Sequence, residues 1–218
     1  MKKSLIAVFA VAVLGVAAVA AATATAKSAD ALPAPDKTGG KPLMQCLTER
    51  KSSRNFDAAR ELDMQTISNL LYAAWGVNRP GESKHTAPTA RNVQDVIVMI
   101  ALPQGVFRFE PDAHALTQVS TDDVRAKLGS NARMLGSAGA VVVLISDFSK
   151  LGQESLSVSA GAAFHAGSVS QNISLYCASA DLGSVVVGSF NESAIRELFA
   201  LPDAWRVQII QPVGYTTD

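Results

Sequence analysis

The stretch "ERKSSRNF" sets three cations, Arg50, Lys51 and Arg54, around two hydroxyls, Ser52 and Ser53, in a chain that is only 17% charged. A basic run can be a plain solvated face. It can also be the grip of an anion-binding site. Two further stretches carry polar groups of the same neutral or cationic kind: "TAPTARNVQ", with Thr89, Asn92 and Gln94, and the glycines of "DLGSVVVGSF". This set offers no strong general base. It can hold a large polar cofactor that brings its own reactivity. Fixed cations suit a phosphate, and Arg can place positive charge beside a ring that becomes anionic. An Asn side chain both donates and accepts, which suits the edge of a heterocycle. A glycine after a strand lets backbone N–H groups approach a ligand closely.

Other chemistries lack their residues. There is no G-x-G-x-x-G after a strand, no G-x-x-x-x-G-K phosphate loop and no G-x-S-x-G elbow. His85, His114 and His165 are far apart, with no H-E-x-x-H, and read as structural residues. Asp122 and Asp123 are explained by the favourable field at a helix N-terminus.

The elements that must position these groups follow from periodicity. The spacing predicts a short helix over Leu43–Leu47 and a clearer one over Met64–Trp75, capped by Asp63 and ended by Gly76. "DVIVMIALP" and "AVVVLIS" are apolar on both faces and read as buried strands. "GVFRFEPDAHALTQV" reads as two strands around a Pro-Asp turn. Ser120 or Thr121 is expected to cap a short helix through Leu128. A long helix is expected over Leu156–Ala180, a strand at "SVVVG", a helix after Asn191 and a final strand at "VQIIQPVGY". The tight hairpin requires antiparallel neighbours. The expected fold class is α+β: a mostly antiparallel central sheet covered by helices.

The chain has 218 residues, and residues 1–26 read as a secretory signal peptide: Lys2 and Lys3, an apolar run from Leu5 to Ala22, and Ala24 and Ala26 before the cut. Cleavage leaves no stable membrane anchor and gives a periplasmic or secreted protein. Residues 27–42 read as a flexible linker of Pro, Gly, Ala and charges, and 43–218 as one domain with an ample core. Without Lys2 and Lys3, 17 cations face 19 acids, a net charge of −2 that argues against a nucleic-acid partner. Cys46 and Cys177 fit no metal spacing. They could pair in an oxidising compartment, but each lies on an apolar helical stripe, which favours two buried thiols.

In their order and spacing these landmarks resemble the nitroreductase family of flavin enzymes. "RKSSRNF" resembles the family's Arg-x-Ser-x-Arg/Lys-x-Phe, and "LLYAAWGVNRP" with "HTAPTARNVQ" its Ala-Trp-Gly turn and Pro-Ser-x-x-Asn-x-Gln motif. "GVFRFEPDAHAL" is similar to the hairpin of the thiazole- and oxazole-forming oxidase branch, and "SQNISLYCASADLGSVVVGSF" to the long helix, Leu-Gly turn and glycine-ending strand. The resemblance implies a homodimer with FMN at the subunit interface, passing hydride from a reductant, with NAD(P)H a candidate, through flavin N5 to a small organic acceptor of the nitroaromatic, quinone, enone or azoline class. It implies that Arg50 and Ser52, with Lys51 beside them, hold the phosphate and ribityl end. Arg54 is implied near N1 and O2, Asn92 at the pyrimidine edge with Gln94 supporting its turn, and the backbone of Gly188 and Ser189 facing N5. No catalytic side chain and no metal are implied. Ala180 and Asp181 replace the Glu-Gly common before the Leu-Gly turn, and no cation follows Arg206, so phosphate binding is expected to rest on Arg50 and its neighbours. The alternative is a non-catalytic relative, flavin-holding or cofactor-free, acting as a binding or structural dimer.

Overall fold

Apolar residues at alternate positions of two central strands point to opposite faces, and both faces are covered. In β4 (Val96–Leu102), Val96, Val98, Ile100 and Leu102 join one core while Met99 and Ala101 join the other. In β7 (Ala140–Asp147), Ala140, Val142 and Leu144 face the first core and Val141, Val143 and Ile145 the second. This two-sided burial is why both strands read as unbroken apolar runs. The computed structural model describes residues 29–217, so the expected signal peptide lies outside the described residues.

The remaining strands in chain order are β1 (Asp30–Ala31), β2 (Val77–Arg79), β3 (Lys84–His85), β5 (Gly105–Glu110), β6 (Ala115–Ser120), β8 (Gly183–Ser184) and β9 (Trp205–Gly214). Seven of the nine strands among the described residues form one sheet in the order β1-β6-β5-β4-β7-β9-β8, antiparallel at every pairing, and β2 and β3 form a separate ribbon. The helices are α1 (Leu43–Glu49), α2 (Met64–Trp75), α3 (Ala132–Ser137), α4 (Leu156–Ser179) and α5 (Glu192–Leu198). Helices α2 and α4 pack on the first face, and α3 and α5 bury Leu135 and Ile195 on the second. The α+β fold with an antiparallel sheet is thus the one expected.

Caps fix the helix starts. Asp63 accepts from Thr66 N at 2.7 Å, Ser155 from Val158 N at 3.3 Å and Asn191 from Ala194 N at 3.2 Å. Three expectations change. The helix expected after Ser120 is only a 3-10 turn over Arg125–Lys127. One turn suffices to bury Val124 and Leu128, and four-residue spacing alone cannot distinguish it from a helix. A helix appears instead at α3, capped by Asn131, which accepts from Met134 N at 3.1 Å. "SVVVG" keeps the sheet only at Gly183–Ser184 and at a single Val187–Ile210 bridge, because the ladder lapses where Val186 turns outward.

Residues 30–41, expected as linker, lie on the domain. Asp30 and Ala31 pair with Leu116 and Ala115, Leu32 is buried, and Ser68 Oγ donates to Pro33 O at 2.6 Å. At the far end Lys41 Nζ pairs with Glu49 at 2.8 Å and Asp181 at 2.5 Å. Both cysteines are free and buried, and burial pushes the Cys177 thiol up to about 12.

Candidate functional site

The basic stretch is an extended strap along the end of the sheet. Ser52 bridges Ser184, Ser53 N donates to Ser184 O at 3.0 Å, Asp57 N to Tyr215 O at 2.9 Å, and Thr217 N to Asn55 O at 3.2 Å. Ser53 and Phe56 are buried and pin the strap, while Arg50, Ser52 and Arg54, two residues apart in turn, are exposed. Lys51 and Asn55 are exposed as well, so the strap does not alternate strictly: it offers Arg50 and Lys51 to one side and Arg54 to the other. The strap can lie this close because residue 183 is glycine. A Cβ there would stand 2.7 Å from Ser53 Cβ and 2.3 Å from Thr216 Cγ2.

Among the described residues, no ion pair involves Arg50, Lys51 or Arg54. Three exposed cations on one short segment are therefore left unpaired, although Glu49 and Asp181 line the cavity beside Arg50 and Lys51. Arg50 and Lys51 border a cavity of about 320 Å³ with Lys41, Asp181 and Ser184. Lys41 is a cation that sequence reasoning missed, because it sits in the expected linker. Hydrogen bonds to Asp181 and then to Glu49 raise the pKa of Lys41, and the hydrogen bond from Lys41 holds the Glu49 carboxyl below the usual range. On the far side of the strap, Arg54 borders a cavity of about 550 Å³ with Asn131, Arg133 and Thr217. Asn131 and Arg133 were also missed. Their signal was an Asn cap before "ARML", hidden by the helix expected earlier.

Ser189 is held against the residue that precedes Asn131 of this second cavity. Ser130, next to Asn131, donates its N–H to Ser189 O at 3.4 Å. Gly188 and Ser189 are exposed, and a Cβ on Gly188 would meet nothing within 4 Å. The space at Gly188 is therefore open, with room for a ligand to approach the backbone.

Asn92 and Gln94 are elsewhere. Asp147 N donates to Asp95 O at 2.8 Å, so their turn sits at the Asp147 end of β7, while the strap lies near the Ala140 end beside Gly214 and Tyr215. Seven strand steps separate the two ends by roughly 23 Å. Helix α4 shows the same span. His165 touches the turn and Cys177 lines the strap cavity, twelve residues or roughly 18 Å along the axis. One chain thus carries Arg50, Lys51, Ser52 and Arg54 on the strap and holds Ser189 next to the Asn131 turn that lines the Arg54 cavity, but keeps Asn92 and Gln94 at the other end of the sheet.

The turn itself is held in an unusual shape. Arg91, Asn92 and Gln94 have φ of 53°, 55° and 50°, left-handed values that cost non-glycine residues on the order of 1–3 kcal/mol each. Gln94 N donates to Thr89 Oγ1 at 3.0 Å, Gln94 Nε2 to Ser83 O at 2.5 Å, and Ala90 N to His165 Nε2 at 2.8 Å. His165 Nδ1 meets the buried Asp95 Oδ1 at 2.6 Å. The other histidines are structural. His85 stacks on Trp75 at 4.1 Å, and His114 Nε2 lies 2.7 Å from Ser68 Oγ. Burial lowers the pKa of both.

The sequence model of the Nitroreductase family matches residues 47–215. A nitroreductase inferred in Ralstonia eutropha has a crystal structure that superposes with a TM-score of 0.81 at 33% identity, over 89% of this chain and 92% of that one. An inferred nitroreductase of Methanocaldococcus jannaschii is 26% identical over 189 residues, 79% of this chain and 90% of its own. A chain of the Escherichia coli microcin synthetase complex, solved with truncated pro-MccB17 bound, shares the fold at a TM-score of 0.70 and 22% identity, over 78% and 70% of the two chains. The chain belongs to the nitroreductase family, whose members are oxidoreductases that generally use flavin.

Proposed function

We propose that this protein is an exported FMN-dependent oxidoreductase that works as a homodimer. The observation that carries the reading is the strap: Arg50, Lys51, Ser52 and Arg54 are exposed on one short segment with no acid paired to their cations among the described residues, and the backbone of Gly188 and Ser189 is exposed as well. The donor set fits a phosphorylated, planar heterocycle. Arg50 and Ser52, with Lys51 adjacent, are the groups to bind the phosphate and ribityl chain, and Arg54 is the fixed cation for the ring edge that gains negative charge. FMN supplies two-electron chemistry when bound. The chain's part is to bind and orient it, to favour its reduced state through Arg54, and to keep one face open for donor and acceptor in turn. The absence of a dinucleotide fingerprint favours FMN over FAD.

The dimer is supported by the separation of the two halves of the site. Asn92 and Gln94 cannot meet the strap of their own chain, but a second copy related by a two-fold axis can bring its turn to it. Apolar side chains are left uncovered on α1 and α4, with Met44 72%, Phe164 74% and Leu156 90% exposed. Such side chains mark contact surfaces when they cluster. No helix among the described residues is long and apolar enough to cross a membrane.

The test is the visible spectrum of protein purified from its own compartment, followed by mass analysis of any flavin released on denaturation. FMN is expected. FAD as the main species, or no flavin and no uptake of added FMN, overturns the reading. Anaerobic addition of NAD(P)H and of chemical reductants then separates an enzyme from a flavin-holding carrier.

A further inference from the structure

The strained turn that carries Asn92 has a buried anchor outside the residues assigned so far. The backbone N–H of Ala90 can only donate, so His165 Nε2, 2.8 Å away, must be an unprotonated acceptor. The ring proton is then on Nδ1, which donates to Asp95 Oδ1 at 2.6 Å. Asp95 is wholly buried and is itself fixed in the backbone, since its carbonyl accepts from Asp147 N. Its second oxygen, Oδ2, has no partner among the described residues, so the contact with His165 is the single one its carboxyl makes. The chain Asp95–His165–Ala90 therefore links the buried start of β4, where Asp95 meets the end of β7, to the first residue of a turn in which three of the next four residues are left-handed. Left-handed non-glycine backbone persists only where its surroundings over-determine it. Asn92 is exposed at the tip.

We propose that His165, oriented by Asp95, is a positioning residue: it locks the Ala90–Gln94 turn in the shape that offers Asn92 to the flavin. This rests on the FMN reading above, and the experiment keeps the two apart. FMN dissociation constants are measured for the full chain and for Asn92→Ala, His165→Leu, the double variant and His165→Gln, with thermal unfolding recorded without FMN. If His165 acts through Asn92, each single change weakens binding by a similar factor, roughly two- to tenfold for one neutral hydrogen bond. The double variant is then no weaker than His165→Leu alone, the signature of two residues acting as one. His165→Gln, which keeps an acceptor for Ala90, recovers most of the affinity. Nitrogen NMR of the wild-type ring gives a check that needs no variant: Nε2 is expected unprotonated and Nδ1 protonated. A protonated Nε2, losses that multiply in the double variant, or unchanged affinity in His165→Leu overturns the positioning role while FMN binding stands. A wild-type chain that takes up no FMN overturns the underlying reading instead.

Discussion

Replacing Gly188 with Ala should move stability and flavin affinity in opposite directions. A Cβ at this position meets no atom within 4 Å, and its φ lies outside the left-handed range, so the folded backbone accepts the methyl without strain. Removing a glycine narrows the unfolded ensemble and should stabilise the chain by about 0.4–1 kcal/mol. For a domain of this size that raises the midpoint by roughly 1–4 °C. The same methyl projects into the open space where a planar ring is expected to lie. Overpacking by one methyl costs about 1–3 kcal/mol, so FMN affinity should fall roughly five- to 150-fold. The assay is a pair of measurements on one variant: thermal unfolding without flavin, and FMN titration by fluorescence quenching. Unchanged affinity with a raised midpoint would refute the placement of the ring against Gly188. A lowered midpoint would refute the claim that the space there is empty.

Three further outcomes are expected. Arg50→Ala should weaken FMN binding roughly tenfold to a hundredfold, the loss of a charge-assisted contact of about 1.5–3 kcal/mol, while Arg54→Ala should chiefly lower the two-electron midpoint potential; dissociation constants and potentials for both variants check this. Sedimentation should give a dimer, and mixing Arg50→Ala chains with Asn92→Ala chains, after exchange of subunits, should restore intact FMN sites that neither variant has alone, because each site draws on both chains; no restoration would refute the shared site. Stability should fall as pH drops below the ordinary histidine value of 6.5, because burial lowers the folded pKa of His85 and His114 and the unfolded chain then binds protons first; urea unfolding at pH 7.5 and 5.5 measures this, and His114→Asn should flatten the dependence.

The strands at β4 and β7 and the helices at α2 and α4 were legible because caps, apolar runs and breakers coincide there. Asp63 and Gly76 bracket α2 at the expected residues. The strap was legible as a group, since three cations around two hydroxyls stand out in a chain so short of charge. Asn131 and Arg133 were not, because their short helix has a single turn of pattern. Lys41 was not, because a segment of Pro and Gly with no period gave no sign of the surface that receives it. The greatest gap was spatial. Motif order along a chain says nothing of which end of a strand each motif occupies, so the distance between Arg54 and Asn92 appeared only in three dimensions. His165 reads as one more polar residue on a long helix until the partner of its ring, 70 residues away, is seen.

The pairing of Asp30 and Ala31 with β6 has a practical consequence for anyone shortening this protein. A chain begun at Leu43, where regular patterning starts, would lack the two residues that cover the outer rim of the hairpin and the leucine buried beneath them. Ala115 and Leu116 would then present free N–H and C=O groups next to a newly bared apolar patch. That is a template for strand-to-strand adhesion between molecules. Such a trimmed protein should clump on expression, and its failure would reflect an uncovered sheet margin and not any defect in the flavin site.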